Sequence, residues 1–142
     1  ILTSVIIGSA QDGDLQTDLG ADWSPEGTEL LYARSHILLA ARAAGIDHPM
    51  DGVFLGLDDE AGLIQDSENA RRLGYRGKTV IHPRQIEPVH GVFTPSEKEL
   101  TYYRDMIAAF ENAGENAFNF RGKMIDRAMI RKARGLLDRI AG

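Results

Sequence analysis

The first 92 residues alternate between short apolar stretches and longer amphipathic segments. The apolar stretches are rich in β-branched and aromatic side chains, as buried strands are. They are Val5–Ile7, Gly52–Leu57 and Thr79–Ile81. Between them, apolar residues recur with a helical period over Ser24–Ala44. A polar helix is expected over Asp59–Leu73, and a shorter helix after Pro83. This alternation predicts an α/β fold with parallel strands joined by right-handed crossovers.

Local signals indicate where these helices begin and end. Ser24-Pro25-Glu26 is typical of a helix start, because serine caps, proline suits the first helical position and glutamate suits the positive end of the helix dipole. Gly45 and Gly74 are expected to end the two longer helices. Residues 17–23, ahead of the first of them, are expected to form a glycine-containing loop.

The pattern changes at Phe93. Thr94-Pro95-Ser96-Glu97 predicts a capping box with proline at the first helical position. Residues 112–121 are expected to form a loop, and a last helix follows Asp126. Two helices without a strand between them indicate a helical extension over 93–142, distinct from the α/β part over 1–92. Three strands are too few for a closed barrel, so the pattern fits either the last part of a barrel or an open, doubly wound sheet.

Polar residues follow each predicted strand. The first strand leads into Asp12 and Asp14, the second into Asp58-Asp59-Glu60, and the third into His82-Pro83. Ligands of parallel α/β folds bind at the carboxyl ends of the strands, so these side chains are expected to share one site. Taken alone, an aspartate in such a place is more often a turn former or a helix cap than a ligand.

Composition narrows the possible partners. The chain has 142 residues, a net charge of −5 and no cysteine. It has no basic cluster, which argues against nucleic acid, and no apolar run of ~20 residues that would span a membrane. A cytoplasmic globular protein is expected. Because the chain begins with isoleucine and a strand follows almost at once, we expect it to be a piece of a longer protein or a processed product.

Several charged residues also have purely structural interpretations. Arg34 and Arg42 lie on a predicted helix and are expected to be surface or ion-pair residues. Lys78 precedes a predicted strand, where a lysine is usually solvated, although it could contact a phosphate. Asp126 stands where a helix N-cap would be.

Two interpretations from other classes are open at this point. A receiver-like regulatory domain would use Asp12 and Asp14 after its first strand, Asp58 as phosphoacceptor and Lys78 near a later strand. It leaves the last two helices unexplained. A non-catalytic interaction fragment is the other alternative.

A set of short motifs occurs in a characteristic order over nearly the whole chain. The motifs are Asp14-Leu-Gln-Thr-Asp-Leu-Gly20, Tyr32-Ala-Arg34, Ala40-Ala-Arg-Ala-Ala-Gly45, Asp51-Gly-Val-Phe54, Gly77-Lys-Thr-Val-Ile-His-Pro83, Gln85-Ile86, Phe93-Thr-Pro-Ser96 and Gly122-Lys-Met-Ile-Asp126. This ordered set resembles the citrate lyase β-subunit-like family of acyl-CoA lyases and aldolases, which includes malyl-CoA, β-methylmalyl-CoA and citramalyl-CoA lyases.

The resemblance implies a fold and a reaction. The chain would be the last three βα units of a TIM (β/α)₈ barrel, residues 1–92, followed by a helical C-terminal extension, residues 93–142. The reaction would be Mg²⁺-dependent cleavage or formation of a 3-hydroxyacyl-CoA thioester from an acyl-CoA and glyoxylate or pyruvate, with a citrate lyase β-subunit as the alternative. The assembly would be a homo-oligomer, a trimer or a hexamer.

The resemblance also implies roles for particular residues. Asp14 matches the family's metal ligand, and the second carboxylate ligand would lie outside this chain. Gln11-Asp12-Gly13 stands where the family has Gly-Ala-Glu, so Asp12 is the alternative ligand. The turn Ile81, His82 and Pro83 would contact the CoA thioester. Asp126 matches an acid/base group supplied to a neighbouring subunit, although Ala128 replaces the usual proline two positions later.

Overall fold

The computed structural model describes residues 4–114 and 117–141. Residues 1–3 of the α/β part, residues 115–116 of the expected loop and residue 142 of the extension lie outside the described residues. Residue contacts divide the chain into two compact units, with the division between Thr94 and Pro95.

A parallel three-stranded sheet forms the centre of the first unit. Its strands are β1 (Ser4–Ile6), β2 (His48–Asp51) and β3 (Gly77–Lys78), in the order β1-β2-β3. Both pairings are parallel, with Val5 opposite Pro49 and Asp51 opposite Lys78. The predicted parallel α/β arrangement is therefore confirmed.

The predicted positions of the second and third strands are wrong. Strand β2 ends at Asp51, before the predicted stretch Gly52–Leu57, and β3 ends at Lys78, before Thr79–Ile81. The buried Pro49, which has no N–H to donate, nevertheless lies inside the central strand, and its carbonyl accepts a hydrogen bond from the Arg76 amide at 2.9 Å.

Four helices complete the first unit: α1 (Asp14–Leu19), α2 (Leu31–Ala43), α3 (Glu60–Leu73) and α4 (Ile86–Phe93). Short 3₁₀ turns over Thr28–Leu30 and Pro83–Gln85 lead into α2 and α4. The expected loop over 17–23 is partly wrong, because α1 occupies its first residues. The predicted helix ends at Gly45 and Gly74 are confirmed, since each glycine comes just after a helix and has a positive φ.

The predicted helix start at Ser24 is wrong, because that residue forms a turn instead. The Ser24 hydroxyl donates to Glu29 Oε2 at 2.6 Å and accepts from the Gly27 amide at 3.1 Å. Gly27, at φ 66°, then redirects the chain into the 3₁₀ turn ahead of α2.

The crossover helices pack on the sheet face that carries Ile7. One buried cluster joins Ile7 to Ala70 and Tyr75, with Leu15, Ala33, Ile37, Leu73 and Phe93 packed against it. A second cluster lies under the following loops and contains Phe54, Leu63 and Val89, with Trp23, Val80 and Phe93 beside them. Full burial of one such side chain contributes roughly 1.5–3 kcal/mol, so these clusters stabilise the packing of the helices on the sheet.

The second unit contains α5 (Glu97–Asn112), β4 (Phe118–Phe120), β5 (Lys123–Ile125) and α6 (Arg127–Ala141). A capping box starts α5, but two residues later than predicted. The Ser96 hydroxyl accepts from the Glu99 amide at 3.2 Å, and the Glu99 carboxylate accepts from the Ser96 amide at 3.0 Å.

A β-hairpin replaces part of the loop expected over 112–121. Strands β4 and β5 pair antiparallel around a two-residue turn of Arg121 (φ 50°) and Gly122 (φ 82°), both at positive φ as a type I′ turn requires. Asn119 Oδ1 accepts from the Gly122 amide at 2.9 Å and tightens this turn. The hairpin and both helices enclose one buried cluster, made of Met106, Phe110, Ile125, Ile130 and Ala133.

No helix among the described residues is long and apolar enough to cross a membrane.

Candidate functional site

Four charged side chains form a buried ionic cluster between the sheet and its helices. Asp51 Oδ2 accepts from Arg34 at 2.6 Å and from Lys78 Nζ at 2.7 Å. Asp66 accepts from Arg34 at 3.2 Å and also from Lys78. The side chains of Asp51 and Lys78 are 0 % exposed. Two cations therefore face two anions, which balances the charge removed from water.

The ionic cluster has consequences for two pKa values. Burial alone would lower the pKa of Arg34, but the charges of Asp51 and Asp66 outweigh it, and the pKa of Arg34 is raised. Burial and the nearby Asp51 charge raise the pKa of Tyr75 to about 12. Tyr75 therefore remains a donor at neutral pH, and its hydroxyl donates to the Arg34 carbonyl at 2.9 Å.

The ionic cluster corrects the expectation for Lys78. Its side chain is buried and paired, so it is neither solvated nor available to a phosphate. Arg34 was expected to be either a surface residue or an ion-pair residue. It forms ion pairs, and it is buried. Arg42 lies 3.8 Å from Asp47 in a partly exposed pair.

The same geometry argues against the receiver-like interpretation. The aspartate at the end of the central strand is Asp51, which has no exposed side-chain surface from which it could accept a phosphoryl group. Asp58, the aspartate first considered, lies in the loop beyond β2, and its side chain is 97 % exposed.

The loop after β1 carries the two aspartates predicted as metal ligands. Asp12 has a positive φ of 55°, and its amide donates to Gln16 Oε1 at 2.8 Å. The buried Gln16 also donates from Nε2 to the Ala21 carbonyl at 2.9 Å, so it binds the backbone both before and after α1. Asp14 is the first residue of α1, and the next residue, Leu15, packs against the Ile7 cluster. Both aspartates are exposed.

Close approach of Gly52 joins this loop to the end of β2. A Cβ at Gly52 would lie 2.5 Å from Ser9 Oγ and 2.6 Å from the Ile7 carbonyl oxygen. Ser9 Oγ also lies 3.4 Å from Asp51 Oδ1, within donating distance. The loop that bears Asp12 and Asp14 thus begins against the ionic cluster.

Gly52→Ala is expected to lower the free energy of unfolding by about 1–3 kcal/mol, because backbone atoms of Ile7 and Ser9 would have to move. Urea unfolding measures this change. Gly91→Ala in α4 is the matched control, because its added Cβ meets nothing within 4 Å. The control is expected to gain up to about 1 kcal/mol. Similar losses in both variants would contradict the importance of the close approach.

The loops after β2 and β3 meet at Gln85. Its Oε1 accepts from the Ile81 amide at 2.9 Å, and its Nε2 donates to the Phe54 carbonyl at 2.8 Å. His82 Nδ1 accepts from the Arg84 amide at 3.2 Å, and Pro83 opens the 3₁₀ turn that follows.

An open pocket lies between these two loops. Gly56, Leu57 and Asp58 line one side, and Arg84, Gln85 and Pro88 line the other. Asp59 caps α3 by accepting from the Gly62 amide at 2.9 Å.

Asp126 lies in the second unit, immediately before α6. Its Oδ1 accepts from the amides of Ala128 at 2.9 Å and Met129 at 3.0 Å. This is the geometry of an N-cap, and the side chain is also exposed to solvent.

The predicted site residues lie in separate places. Ile81, His82 and Pro83 lie beside the loop after β2, Asp12 lies in the loop after β1, and Asp14 is the first residue of α1. Within 4–114 and 117–141, no three His, Asp or Glu side chains form a group that could hold a metal ion. The positioning roles of Gln16, Gln85 and Asp51 were not predicted, although all three residues occur in the motifs.

The first unit has an α/β fold in which polar residues follow the carboxyl ends of parallel strands. Residues 2–83 match the family HpcH/HpaI aldolase/citrate lyase. The chain therefore belongs to the HpcH/HpaI aldolase/citrate lyase family.

Similar proteins include named lyases. The chain is 42 % identical over 127 residues to the citrate lyase subunit beta of Leuconostoc mesenteroides subsp. cremoris, covering 87 % of this chain and 42 % of that protein. It is 34 % identical over 139 residues to the mitochondrial citramalyl-CoA lyase of Mus musculus, covering 96 % of this chain and 40 % of that one. The chain thus spans less than half the length of these curated relatives.

A solved structure provides the spatial comparison. The protein CitE from Mycobacterium tuberculosis, in complex with magnesium, acetoacetate and coenzyme A, superposes with a TM-score of 0.78 at 31 % sequence identity. The match covers 94 % of this chain and 51 % of CitE.

Proposed function

We propose that the chain is part of a Mg²⁺-dependent carbon–carbon lyase or aldolase that acts on a CoA thioester. The substrate is a 3-hydroxyacyl-CoA of the malyl-CoA, β-methylmalyl-CoA or citramalyl-CoA type, and the products are an acyl-CoA and glyoxylate or pyruvate. The observation that carries this proposal is the match of 94 % of the chain to a structure that holds magnesium, acetoacetate and coenzyme A.

In this proposal, residues 1–92 are the last three βα units of a TIM barrel and residues 93–142 are its helical extension. The strands lie in sequence order, as consecutive barrel strands do. Helices α2 and α3 both contact the same sheet face, through Arg34 and Asp66. Ile6 points to the opposite face and is 60 % exposed, which fits a strand whose inner side belongs to a barrel interior.

Asp14 is the proposed metal ligand, with Asp12 as the alternative. Carboxylate oxygens are the protein ligands that Mg²⁺ prefers, and both side chains are exposed at the carboxyl end of β1. As the family resemblance implies, a second carboxylate ligand is proposed to lie outside this chain. Bound Mg²⁺ would polarise the carbonyl of the acid product and favour the developing negative charge on its oxygen.

The chain's own residues have separate tasks in the reaction. The substrate hydroxyl loses a proton, the C–C bond breaks to give the carbonyl acid and the acyl-CoA enolate, and the enolate carbon takes up a proton. The exposed carboxylate of Asp126 is the proposed group that transfers one of these protons, in the site of a neighbouring subunit. Ile81, His82 and Pro83 are proposed to contact the pantetheine or phosphate part of the thioester.

A citrate lyase β-subunit is the second candidate, favoured by 42 % identity to the Leuconostoc protein. Assays of the intact protein with malyl-CoA, citramalyl-CoA and a citryl thioester distinguish the two. Turnover of the CoA thioesters supports the first candidate, and turnover of the citryl thioester alone supports the second. No turnover of any of them would contradict both.

Asp14→Asn is expected to weaken Mg²⁺ binding by the intact protein at least about tenfold. Mutation of a residue that only supports a metal ligand typically costs that much affinity, and loss of the ligand itself should cost no less. Turnover should fall with it. Asp12→Asn is the matched control two residues away and is expected to do less. Metal titration calorimetry gives affinity without relying on activity. Equal losses would mean that Asp12 also binds, or that Asp14 is the wrong choice.

A further inference from the structure

Gln85 makes two side-chain hydrogen bonds, one within the loop after β3 and one across to the loop after β2. It is 2 % exposed, and both ends of its amide are used. The acceptor end takes the Ile81 amide at 2.9 Å, and the donor end reaches the Phe54 carbonyl at 2.8 Å.

These contacts continue the sheet pairing beyond the strands. Backbone pairing ends when the Thr79 amide donates to the Asp51 carbonyl at 3.0 Å. Past that point the two segments separate, and the Ile81 amide and the Phe54 carbonyl need partners outside the sheet. Gln85 is the partner of both, and its bond to Phe54 ties the loop after β3 to the loop after β2. Phe54 is anchored on its other side by the buried Leu63 and Val89.

We propose that Gln85 is a positioning residue for the CoA thioester, acting through the turn Ile81–Pro83 and the loop after β2. The inference rests on the proposed function, because it concerns the site where that function places the thioester. Gly56 and Leu57 on one loop face Arg84 on the other across the pocket, so a change in loop spacing changes the pocket width. Gln85 does not react with the substrate itself.

Gln85→Met in the intact protein tests the proposal. Methionine has a similar length but makes neither hydrogen bond, so the loops lose this hydrogen-bonded link. Coenzyme A affinity by calorimetry is expected to fall about tenfold, since one buried and one partly buried hydrogen bond are lost. In turnover, KM for the thioester should rise while kcat changes little. Hydrogen exchange at the Ile81 amide should become faster, a readout that is independent of activity.

Tyr75→Phe is the matched control. It also removes one buried, long-range hydrogen bond, from the tyrosine hydroxyl to the Arg34 carbonyl. That bond lies near the ionic cluster rather than at the loops. This variant is expected to lose stability while its coenzyme A affinity stays within twofold of the native protein.

Gln85→Glu adds a test by rescue. An ionised glutamate can accept from the Ile81 amide but cannot donate to the Phe54 carbonyl, and a protonated one can do both. Coenzyme A binding by this variant, relative to the native protein, should therefore recover as the pH falls. Asp58, Glu60 and Arg84 line the same pocket, and His82 lies in the turn. These groups are present in both proteins, so the affinity of the variant is divided by that of the native protein at each pH to remove their contribution.

The outcomes separate this inference from the proposed function. Two results would overturn the inference alone, provided that the native protein binds coenzyme A. One is that Gln85→Met binds coenzyme A equally well, and the other is that Tyr75→Phe loses as much coenzyme A affinity as Gln85→Met does. Absence of low-pH recovery in Gln85→Glu also overturns it. A native protein that neither binds coenzyme A nor cleaves a thioester refutes the proposed function, and the inference with it.

Discussion

Asp51→Asn is expected to lower the free energy of unfolding by about 3–5 kcal/mol, since one anion would be removed from between two buried cations. Lys78 and Arg34 would keep their charges with Asp66 as the remaining anion. Urea unfolding of the intact protein, followed by circular dichroism, measures the loss.

Two companion variants make this test specific. Asp47→Asn removes one partner of the partly exposed pair with Arg42, where the N–O distance is 3.8 Å, and is expected to cost less than about 1 kcal/mol. Asp51→Leu combined with Lys78→Met removes one charge of each sign and should recover much of the loss. An Asp51→Asn cost similar to that of Asp47→Asn would contradict the interpretation.

Asp126→Asn is expected to reduce turnover of the intact protein by ~10²–10⁴-fold while leaving its stability nearly unchanged. Asparagine is as good an N-cap as aspartate, and its Oδ1 can still accept from the amides of Ala128 and Met129. The substitution therefore removes the carboxylate that is proposed to transfer a proton, but it keeps the N-cap of α6. Steady-state kinetics and thermal unfolding of the same sample give the two quantities.

Two controls separate catalysis from capping. Asp126→Ala should lose both the turnover and about 0.5–2 kcal/mol of stability, whereas Ser96→Ala, which removes the cap of α5, should lose only stability. Full turnover in Asp126→Asn would leave Asp126 with a capping role alone.

Mixing two inactive proteins tests whether Asp126 acts in a neighbouring subunit. Asp14→Asn and Asp126→Ala subunits, allowed to exchange, should recover some activity, because some sites would contain both intact residues. No recovery after confirmed exchange would contradict a shared site in the proposed trimer or hexamer.

The layered order of strands and helices could be predicted from the sequence because it depends on periodicity, which a single sequence displays. The exact strands could not. Pro49 argues against a strand in any local interpretation, and its place in β2 depends on long-range packing. The apolar run Val53–Leu57 suggested a strand, but its residues instead pack and line a pocket beyond the sheet. The hairpin had a local signal, the dipeptide Arg121-Gly122, between two short apolar stretches.

The places of Asp14 and the turn Ile81–Pro83, each shortly after a strand, could be predicted from the sequence, and their roles in the site stay predictions. The ionic cluster could not be predicted, because Arg34, Asp51 and Lys78 are far apart in the sequence and each resembles an ordinary surface charge. The hydrogen bond from Gln85 to Phe54 could not be predicted for the same reason, since Phe54 lies in another loop.

The pairing of Asp51 with Lys78 across neighbouring strands also bears on how the chain avoids misfolding. Strand β3 has only two residues, so its backbone hydrogen bonds alone favour one alignment weakly. A slip by one residue would turn Lys78 to the other face of the sheet and leave Asp51 with one fewer counter-charge. The buried charges therefore contribute selectivity between competing alignments, beyond any net stability that they supply.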